Sequence, residues 1–239
     1  MAVRGKEPAV TKTNQPVDAS RIRLPGNIHV VGWSMSPSDA VAFIKSLGKT
    51  LLTFYGYSGL EYEDKRRMLV IAREVLADYS PQTTLVNIGA TSVGIGAIYP
   101  LAKSMGFTTA GIVSTRALEY PEDISESVDH ICFIADEQWG GKLPNSNELS
   151  PTSKAMVECS DILVGIGGGA VSLDEMLAGH EQGKQIVYFP AEMNHERASR
   201  QAAKKGLPPP TSFKGDAHDT LVGLKRSDLK ERLNKLKGT

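Results

Sequence analysis

Short apolar runs alternate along the chain with longer stretches in which apolar and polar residues recur at helical spacing. The runs are rich in aliphatic and β-branched residues and predict strands at about 28–32, 51–57, 84–89, 108–113, 130–135, 161–166 and 185–190. The longer stretches predict helices at 37–46, 61–78, 93–105, 117–127, 149–159, 172–182 and 195–205. Nearly continuous apolar strands that alternate with helices are typical of parallel sheets buried on both faces. We therefore expect an α/β fold with a single doubly wound parallel sheet and helices on both faces.

The two ends of the chain lack this alternation. Residues 1–25 are polar and without periodicity, and they predict a flexible arm before a single domain at 26–207. The proline run 208–210 closes that domain. Residues 208–239 are expected to form a basic tail with one short charged helix at about 226–236.

The formal net charge is zero, from 27 basic and 27 acidic residues, but the charges are unevenly distributed. Residues 1–23 carry five basic and two acidic side chains, and residues 193–239 carry eleven basic and five acidic ones, which leaves an acidic middle. Basic ends occur as solvated tails and also as surfaces that contact nucleic acid. Charge alone leaves both interpretations open.

No apolar run approaches the ~18 residues that a membrane span needs, and the N-terminus lacks the apolar region of a signal peptide. Cys132 and Cys159 both lie in apolar surroundings, which is typical of reduced core thiols. Neither they nor the five histidines show the spacing of a metal site. We expect a cytoplasmic protein with no metal centre and no membrane partner.

The segment DILVGIGGGAVSLDE at 161–175 combines a buried strand, a glycine turn and the start of a helix. Backbone N–H groups at such a helix start point outward, and the helix dipole favours negative charge there. Glycines let a phosphate approach the main chain because no Cβ intervenes. This predicts a phosphate site, and a nucleotide as its ligand, with contacts from Gly167, Gly168, Gly169 and Ser172. The serine would serve equally well as an ordinary helix cap.

The same turn also fits a relaxed dinucleotide fingerprint, Gly165-x-Gly167-x-x-Ala170. That fingerprint belongs to the first strand of a domain and needs an acid about 20 residues later, at the end of the next strand. Here the turn follows the sixth apolar run, and the acid beyond the next strand, Glu192, lies somewhat too far along the chain. NAD and FAD are therefore not the favoured ligands.

Three further loops are expected near the glycine turn, because ligands of doubly wound sheets bind outside the carboxyl ends of the strands. These loops, at 56–59, 89–92 and 191–195, are small or polar in composition, which suits close contact with a ligand. Their candidate ligand contacts are Gly56, Ser58, Gly89, Thr91, Ser92 and Asn194. Thr91 and Ser92 could instead cap a helix.

A tryptophan follows the fifth predicted strand, in the sequence DEQWGGK at 136–142. Trp139 could stack on a nucleobase or could anchor the loop by packing. The whole segment 136–149 is long enough to act as a lid over a ligand.

Taken together, these loops resemble the lonely-guy proteins and their wider SLOG superfamily, whose core motif is PGGxGTxxE. In GGGAVSLDE at 167–175, Gly168 and Gly169 match the glycine pair, Ser172 takes the threonine position and Glu175 the glutamate. Upstream, FYGYSG at 54–59 and LVNIGATSVGIG at 85–96 are similar to the first two strands and turns of that family. The resemblance spans about residues 50–192. It implies a Rossmann-like domain, usually a homodimer, that binds nucleoside phosphates or related ligands.

The departures from the family pattern concern catalysis. The phosphoribohydrolases of the family cleave an N-glycosidic bond with a glutamate and with an arginine from an RKxxM-type helix. The corresponding helix here reads TSKAMVE at 152–158 and has no arginine, although Lys154 could supply a cation for the phosphate. Glu175 is then either a catalytic carboxylate that stabilises oxocarbenium charge or an acid that merely complements the helix dipole.

Two functions follow from these features. The first is binding of a nucleotide or nucleotide-like phosphorylated ligand at the carboxyl edge of the sheet. A protein of this kind would be a carrier or sensor, or a weak N-glycosidic (phosphoribo)hydrolase; the missing arginine slightly favours the former and leaves the enzymatic role undecided. The second is single-stranded DNA binding of the DNA-processing type, supported by the basic C-terminal segment.

Overall fold

A computed structural model of the protein describes residues 22–224. Residues 29–204 form seven strands and six α-helices, and a further helical segment begins at residue 217. The strands are β1 (His29–Met35), β2 (Thr50–Gly56), β3 (Thr84–Ile88), β4 (Thr108–Ser114), β5 (His130–Ile134), β6 (Ile162–Ile166) and β7 (Gln185–Phe189). The helices are α1 (Pro37–Ser46), α2 (Lys65–Ala77), α3 (Ile98–Ser104), α4 (Pro151–Cys159), α5 (Ala170–Glu181) and α6 (His195–Lys204).

The strands form one parallel sheet in the order β1-β5-β4-β3-β2-β6-β7. The chain proceeds from β2 through β3 and β4 to β5 on one side and then returns to place β6 and β7 on the other side of β2. The order therefore reverses between β2 and β6, whose last residues, Gly56 and Ile166, are paired in register. This is the topological switch point at which doubly wound sheets bind their ligands.

Two apolar clusters cover the faces of the sheet. Residues of α2 and α3, such as Met68 and Ile98, belong to one cluster, and residues of α1, α4 and α5, such as Ile44 and Met176, belong to the other. Strands buried on both sides explain the continuous apolar runs in the sequence. The predicted fold class, a Rossmann-like α/β fold with helices on both faces of one parallel sheet, is confirmed.

One predicted helix is wrong. The segment 117–127 forms two short 3-10 turns, Thr115–Glu119 and Pro121–Asp123, instead of an α-helix. Tyr120 separates them with a non-helical backbone (φ −139°, ψ 59°). A residue that precedes a proline is disfavoured in helical conformation, so Pro121 interrupts the helix that the apolar spacing suggested.

The packed unit also extends beyond the proline run at 208–210. Residues 217–224 are helical, and Ala217 and Leu221 are buried in the cluster that contains Met176. At the other end, Ile22 and Leu24 of the predicted arm pack against the opposite cluster. The rest of the arm and the helix predicted at 226–236 lie outside the described residues.

Both cysteines are buried in the described part of the chain and form no disulfide, and burial raises the pKa of each thiol to about 12. Within residues 22–224, no helix is both long enough and apolar enough to cross a membrane.

Candidate functional site

A cavity of about 570 Å³ opens at the carboxyl edge of the sheet, beside the switch point. Its walls come from the ends of β2, β3 and β4, the loops that follow β2 and β3, the start of α4 and the first turns of α5. Its volume lies in the range of about 300–1,000 Å³ that is common for small-molecule sites. We call it the switch-point cavity.

Seven of the thirteen residues predicted from the sequence for the site line this cavity. They are Gly56, Ser58, Gly89, Thr91, Trp139, Ser172 and Glu175. Parallel strands bring the loops after β2, β3 and β6 to one edge, which is why separate sequence segments converge there. Ser172 and Glu175 lie three residues apart on α5, on the same side of that helix, so both can face the cavity.

The glycine turn itself does not line the cavity. Gly167 (φ +61°) and Gly168 (φ +129°) have left-handed backbone conformations that favour glycine, and the turn packs against the ring of Tyr57. The Tyr57 hydroxyl donates to the carbonyl oxygens of Lys214 (2.6 Å) and Ala191 (3.2 Å). The Ala217 N–H donates to the Gly168 carbonyl at 3.3 Å, so the C-terminal segment covers this side of the turn.

The first turn of α5 does reach the cavity, through Val171 and Ser172. The helix begins after Gly169, which is its N-cap, and no side chain caps its first N–H groups. Ser172 is therefore not the N-cap; its hydroxyl donates to the Gly56 carbonyl at 3.3 Å and ties α5 to the end of β2. Uncapped N–H groups at a helix start can donate hydrogen bonds to a bound anion.

Three further predicted contacts lie elsewhere. The Ser92 N–H donates to the Asp123 carbonyl at 2.8 Å, and Ser92 does not line the cavity. Asn194 caps α6, because its side-chain oxygen accepts from the Arg197 N–H at 3.0 Å. Lys154 is exposed and approaches Glu158 at 3.9 Å.

The position of Lys154 has a simple helical reason. Thr152 and Met156, four residues apart, both line the cavity from α4. A residue midway between two such positions points to the opposite side of the helix. Lys154 therefore cannot replace the missing arginine as a phosphate ligand inside this cavity, and that part of the sequence hypothesis is corrected.

Glu175 lies at the inner wall and is 5% exposed. Its Oε1 accepts a hydrogen bond from the Ser153 hydroxyl at 2.5 Å, and the Ser153 oxygen in turn accepts from the Gly141 N–H at 2.6 Å. Burial raises the pKa of Glu175 to about 8, the Ser153 hydrogen bond lowers it in part, and the nearby charge of Asp174 adds to the rise. Glu175 is therefore mostly a neutral carboxylic acid at pH 7.

Thr152 and Ser153 are parts of the candidate site that were not predicted from the sequence. Thr152 lines the cavity, and its buried Oγ1 has no hydrogen-bond partner within the described chain. Ser153 is fully buried and reaches the site only by its bond to Glu175. Two hydroxyls at the start of α4, directly after Pro151, were the available signal, but they also suit ordinary helix capping.

Aromatic side chains surround the mouth of the cavity. Trp139 is 52% exposed, its ring centroid lies 6.2 Å from that of Tyr120, and the Arg116 guanidinium lies 5.4 Å from it. Val93 and Val171, which are also exposed, complete an apolar rim. A flat ring could therefore rest on aromatic surface as it enters.

The segment 136–149 carries Trp139 and is anchored at its start and near its middle. The Asp136 carboxylate accepts from the N–H groups of Gln138 (2.7 Å) and Thr152 (2.8 Å). Lys142 approaches Asp174 of α5 at 3.4 Å. The predicted role of this segment as a moving lid stays a prediction.

Charge is scarce inside the cavity. Among the described residues that line it, none is a lysine, arginine or histidine. A ligand inside the cavity would therefore meet apolar walls, hydroxyls and the acids Asp123 and Glu175, and the electropositive feature of this lining is the first turn of α5.

No family model matches this chain, and no curated protein matches it in sequence. Solved structures with a similar fold include the molybdenum cofactor carrier protein of Chlamydomonas reinhardtii, 18% identical over 76% of this chain and 99% of that chain, with a TM-score of 0.43. Another is DNA processing protein A of Streptococcus pneumoniae, 13% identical over 77% of this chain and 62% of that chain, with a TM-score of 0.42. The likeness is limited to the general fold.

Proposed function

We propose that this protein binds a nucleotide or a nucleotide-like phosphorylated ligand in the switch-point cavity and acts as a carrier or sensor of that ligand. The observation that carries the proposal is the uncapped first turn of α5, which opens into a mostly apolar cavity at Val171 and Ser172. The helix start offers N–H groups to a phosphate, and the apolar walls and Trp139 offer surface to a base. A ligand with one anionic and one aromatic end suits this combination.

Carrier or sensor activity has more support than N-glycosidic hydrolysis. Cleavage at a ribosyl centre builds positive charge that a fixed carboxylate anion stabilises. Burial raises the pKa of Glu175 to about 8, so at pH 7 little of that negative charge is present. No arginine lines the cavity among the described residues either. The negative charge of the catalytic glutamate and the positive charge of the catalytic arginine in lonely-guy hydrolases therefore both lack an equivalent here.

The resemblance of 167–175 to the SLOG motif supports a nucleotide ligand and adds the expectation of a homodimer. Membership of that superfamily and dimerisation are parts of this proposal. The exposed apolar residues Val93, Tyr120, Trp139 and Val171 surround the cavity mouth, so a ligand or a second subunit that covers them would bury apolar surface there.

DNA binding receives less support from the described residues. Arg197 pairs with Glu61 at 2.8 Å, and Arg200 lies 3.4 Å from Glu196, so two cations of α6 are already compensated. Phe213, the aromatic beside Lys214, stacks on His195 at 4.0 Å. Single-strand binders instead present aromatic and basic side chains together along an open groove.

Native mass spectrometry with a panel of nucleoside mono-, di- and triphosphates tests the proposal. We expect one nucleotide per subunit, retained or captured, with no release of free base. Release of base during incubation would replace the carrier with the hydrolase. Absence of any bound nucleotide across the panel would contradict nucleotide binding, and salt-sensitive binding of single-stranded DNA would then favour the alternative.

A further inference from the structure

Of the two carboxyl oxygens of Glu175, one is hydrogen-bonded within the described chain and the other is not. Oε1 accepts from Ser153, whereas Oε2 has no hydrogen-bond partner within residues 22–224. Because Glu175 lines the cavity, a bound ligand can reach its carboxyl group. This oxygen is a hydrogen-bond donor when the acid is protonated and only an acceptor when it is ionised.

The charged and titratable groups around Glu175 do not favour its anion. On its own helix, Asp174 adds negative charge and is itself approached by Lys142 of the segment 136–149. From β2, the Tyr55 phenol is fully buried, and burial keeps its pKa well above the ordinary value. Asp123, at the end of the 3-10 turn Pro121–Asp123, is a further carboxylate in the cavity lining.

The contact from α4 is equally uncharged. Ser153 supplies a hydroxyl to Glu175, and the charged side chain nearest in sequence on that helix, Lys154, is exposed and approaches Glu158. Thr152 provides a second polar group in the cavity lining, because its buried Oγ1 has no hydrogen-bond partner in the described chain. The remaining inner wall is apolar, with Phe54, Ile88 and Ile112.

These observations assign a ligand chemistry to the inner end of the cavity. An anion placed there would meet no cation and would lie against an acid, which is costly in an apolar environment. An uncharged ring with a nitrogen or carbonyl acceptor would instead satisfy the free carboxyl oxygen and bury its own apolar faces.

Building on the proposed function, we infer that the ligand enters ring first. A neutral acceptor atom of the ring takes a hydrogen bond from the carboxylic acid form of Glu175, while the phosphate stays outside at the first turn of α5. The ligand and the Glu175 proton are therefore bound together. When the solution is alkaline enough to ionise the free protein at Glu175, binding takes up one proton from the solvent, and no covalent bond changes.

Isothermal titration calorimetry in two buffers of different ionisation enthalpy tests this coupling, because the difference in heat reports the protons taken up. The probes are the four common ribonucleosides and their 5′-monophosphates, titrated into the full chain. With a Glu175 pKa of about 8, proton uptake should rise from near zero at about pH 6 to more than about half a proton at about pH 8.5. Because a 5′-phosphate itself titrates near about pH 6, proton uptake is read from the nucleosides, with adenosine and cytidine, whose bases do not titrate over that range, as the reference probes.

Two variants test whether Glu175 is the group that takes up the proton. Glu175→Gln keeps a donor at the same place and should bind with no proton uptake, whereas Glu158→Gln on the exposed side of α4 should behave as the wild type. Binding by the wild type without proton uptake at about pH 8.5 would overturn the inference and leave nucleotide binding standing. Uptake that persists in Glu175→Gln, or binding of monophosphates without any nucleoside, would also overturn it. No binding by any of these probes would overturn the inference, and the wider panel that includes di- and triphosphates would then decide the proposed function.

Discussion

At the scale of single residues, Glu175 shows how burial decides the protonation of a group. Its folded pKa of about 8 lies above the ordinary value of 4.5, so the folded protein holds this proton more tightly than the unfolded chain does. Stability therefore declines as pH rises from about 4.5 to about 8, and it is not regained above that range.

The isosteric variant Glu175→Gln removes this titration and keeps an acceptor for Ser153. The free energy of unfolding of the wild type falls as pH rises across that range, whereas that of the variant does not. We therefore expect the difference between the two, variant minus wild type, to increase by roughly 1 kcal/mol per pH unit. Urea unfolding at several pH values measures the difference. The exposed Glu181→Gln is the matched control, and parallel pH profiles for wild type and Glu175→Gln would contradict the burial of a neutral acid.

Trp139 offers a second test at this scale. Its side chain is half-exposed at the cavity mouth, so Trp139→Ala should leave stability nearly unchanged. If a base stacks there, the variant should bind the captured nucleotide more weakly by about 1–3 kcal/mol, measured by calorimetry. Val70→Ala, an exposed apolar residue on α2 away from the cavity, is the control, and equal affinities for all three proteins would exclude stacking on Trp139.

The residues of the candidate site differ in whether a short sequence segment is enough to predict their position. Ser172 and Glu175 could be predicted because a strand, a turn and one helix face fix their position within a short segment. Lys154 could not, because the side of α4 that it occupies depends on how that helix packs. Thr152 and Ser153 reach the site only through tertiary contacts with Glu175 and the cavity.

At the scale of elements, the close approach of β2 and β6 depends on Gly56. A Cβ there would collide with the Tyr62 hydroxyl and lie 2.8 Å from the Ile166 carbonyl oxygen. The Tyr62 hydroxyl cannot easily move, because it donates to that same carbonyl at 2.7 Å and accepts from the Tyr57 N–H at 3.1 Å. This packing fixes the two strand ends that flank the switch point.

We therefore expect Gly56→Ala to lower the free energy of unfolding by about 2 kcal/mol or more. Gly59→Ala in the same loop should change it by less than about 0.5 kcal/mol, because nothing lies within 4 Å of a Cβ at that position. Chemical denaturation of both variants makes the comparison. Equal stabilities would show that the β2 end tolerates a side chain.

Strands were the elements most readily predicted, since the apolar runs of β2 to β6 are buried along most of their length and need no tertiary information to be recognised. The segment 117–127 was mispredicted because its apolar spacing is helical while Pro121 stops the helix. The preference of a residue before proline was the deciding signal.

At the scale of the whole molecule, the chain after the proline run contributes to the core. Leu221 is 2% exposed and packs in the same cluster as Met176, which the basic composition of this region concealed. Leu221→Ala should cost about 2–4 kcal/mol of stability. Leu207→Ala, at an exposed leucine just before the prolines, should cost less than about 0.5 kcal/mol. Thermal or urea unfolding decides, and a small effect at Leu221 would mean that this segment does not stabilise the domain.

The central claim is that the switch-point cavity is the ligand site, and Gly89 allows a direct test of it. Gly89 lines the cavity, has no left-handed backbone, and has nothing within 4 Å of the place where a Cβ would lie. Gly223, outside the cavity lining, shares the last two properties.

The measurement is the affinity of the captured nucleotide for Gly89→Leu and for Gly223→Leu, with unfolding curves to show that both variants are folded. Because the new side chain at position 89 would occupy the cavity, we predict that the affinity of Gly89→Leu is lower than that of the wild type by about tenfold or more. Gly223→Leu should bind with the affinity of the wild type. Wild-type affinity in a folded Gly89→Leu protein would contradict the claim, because the ligand would then have to bind elsewhere.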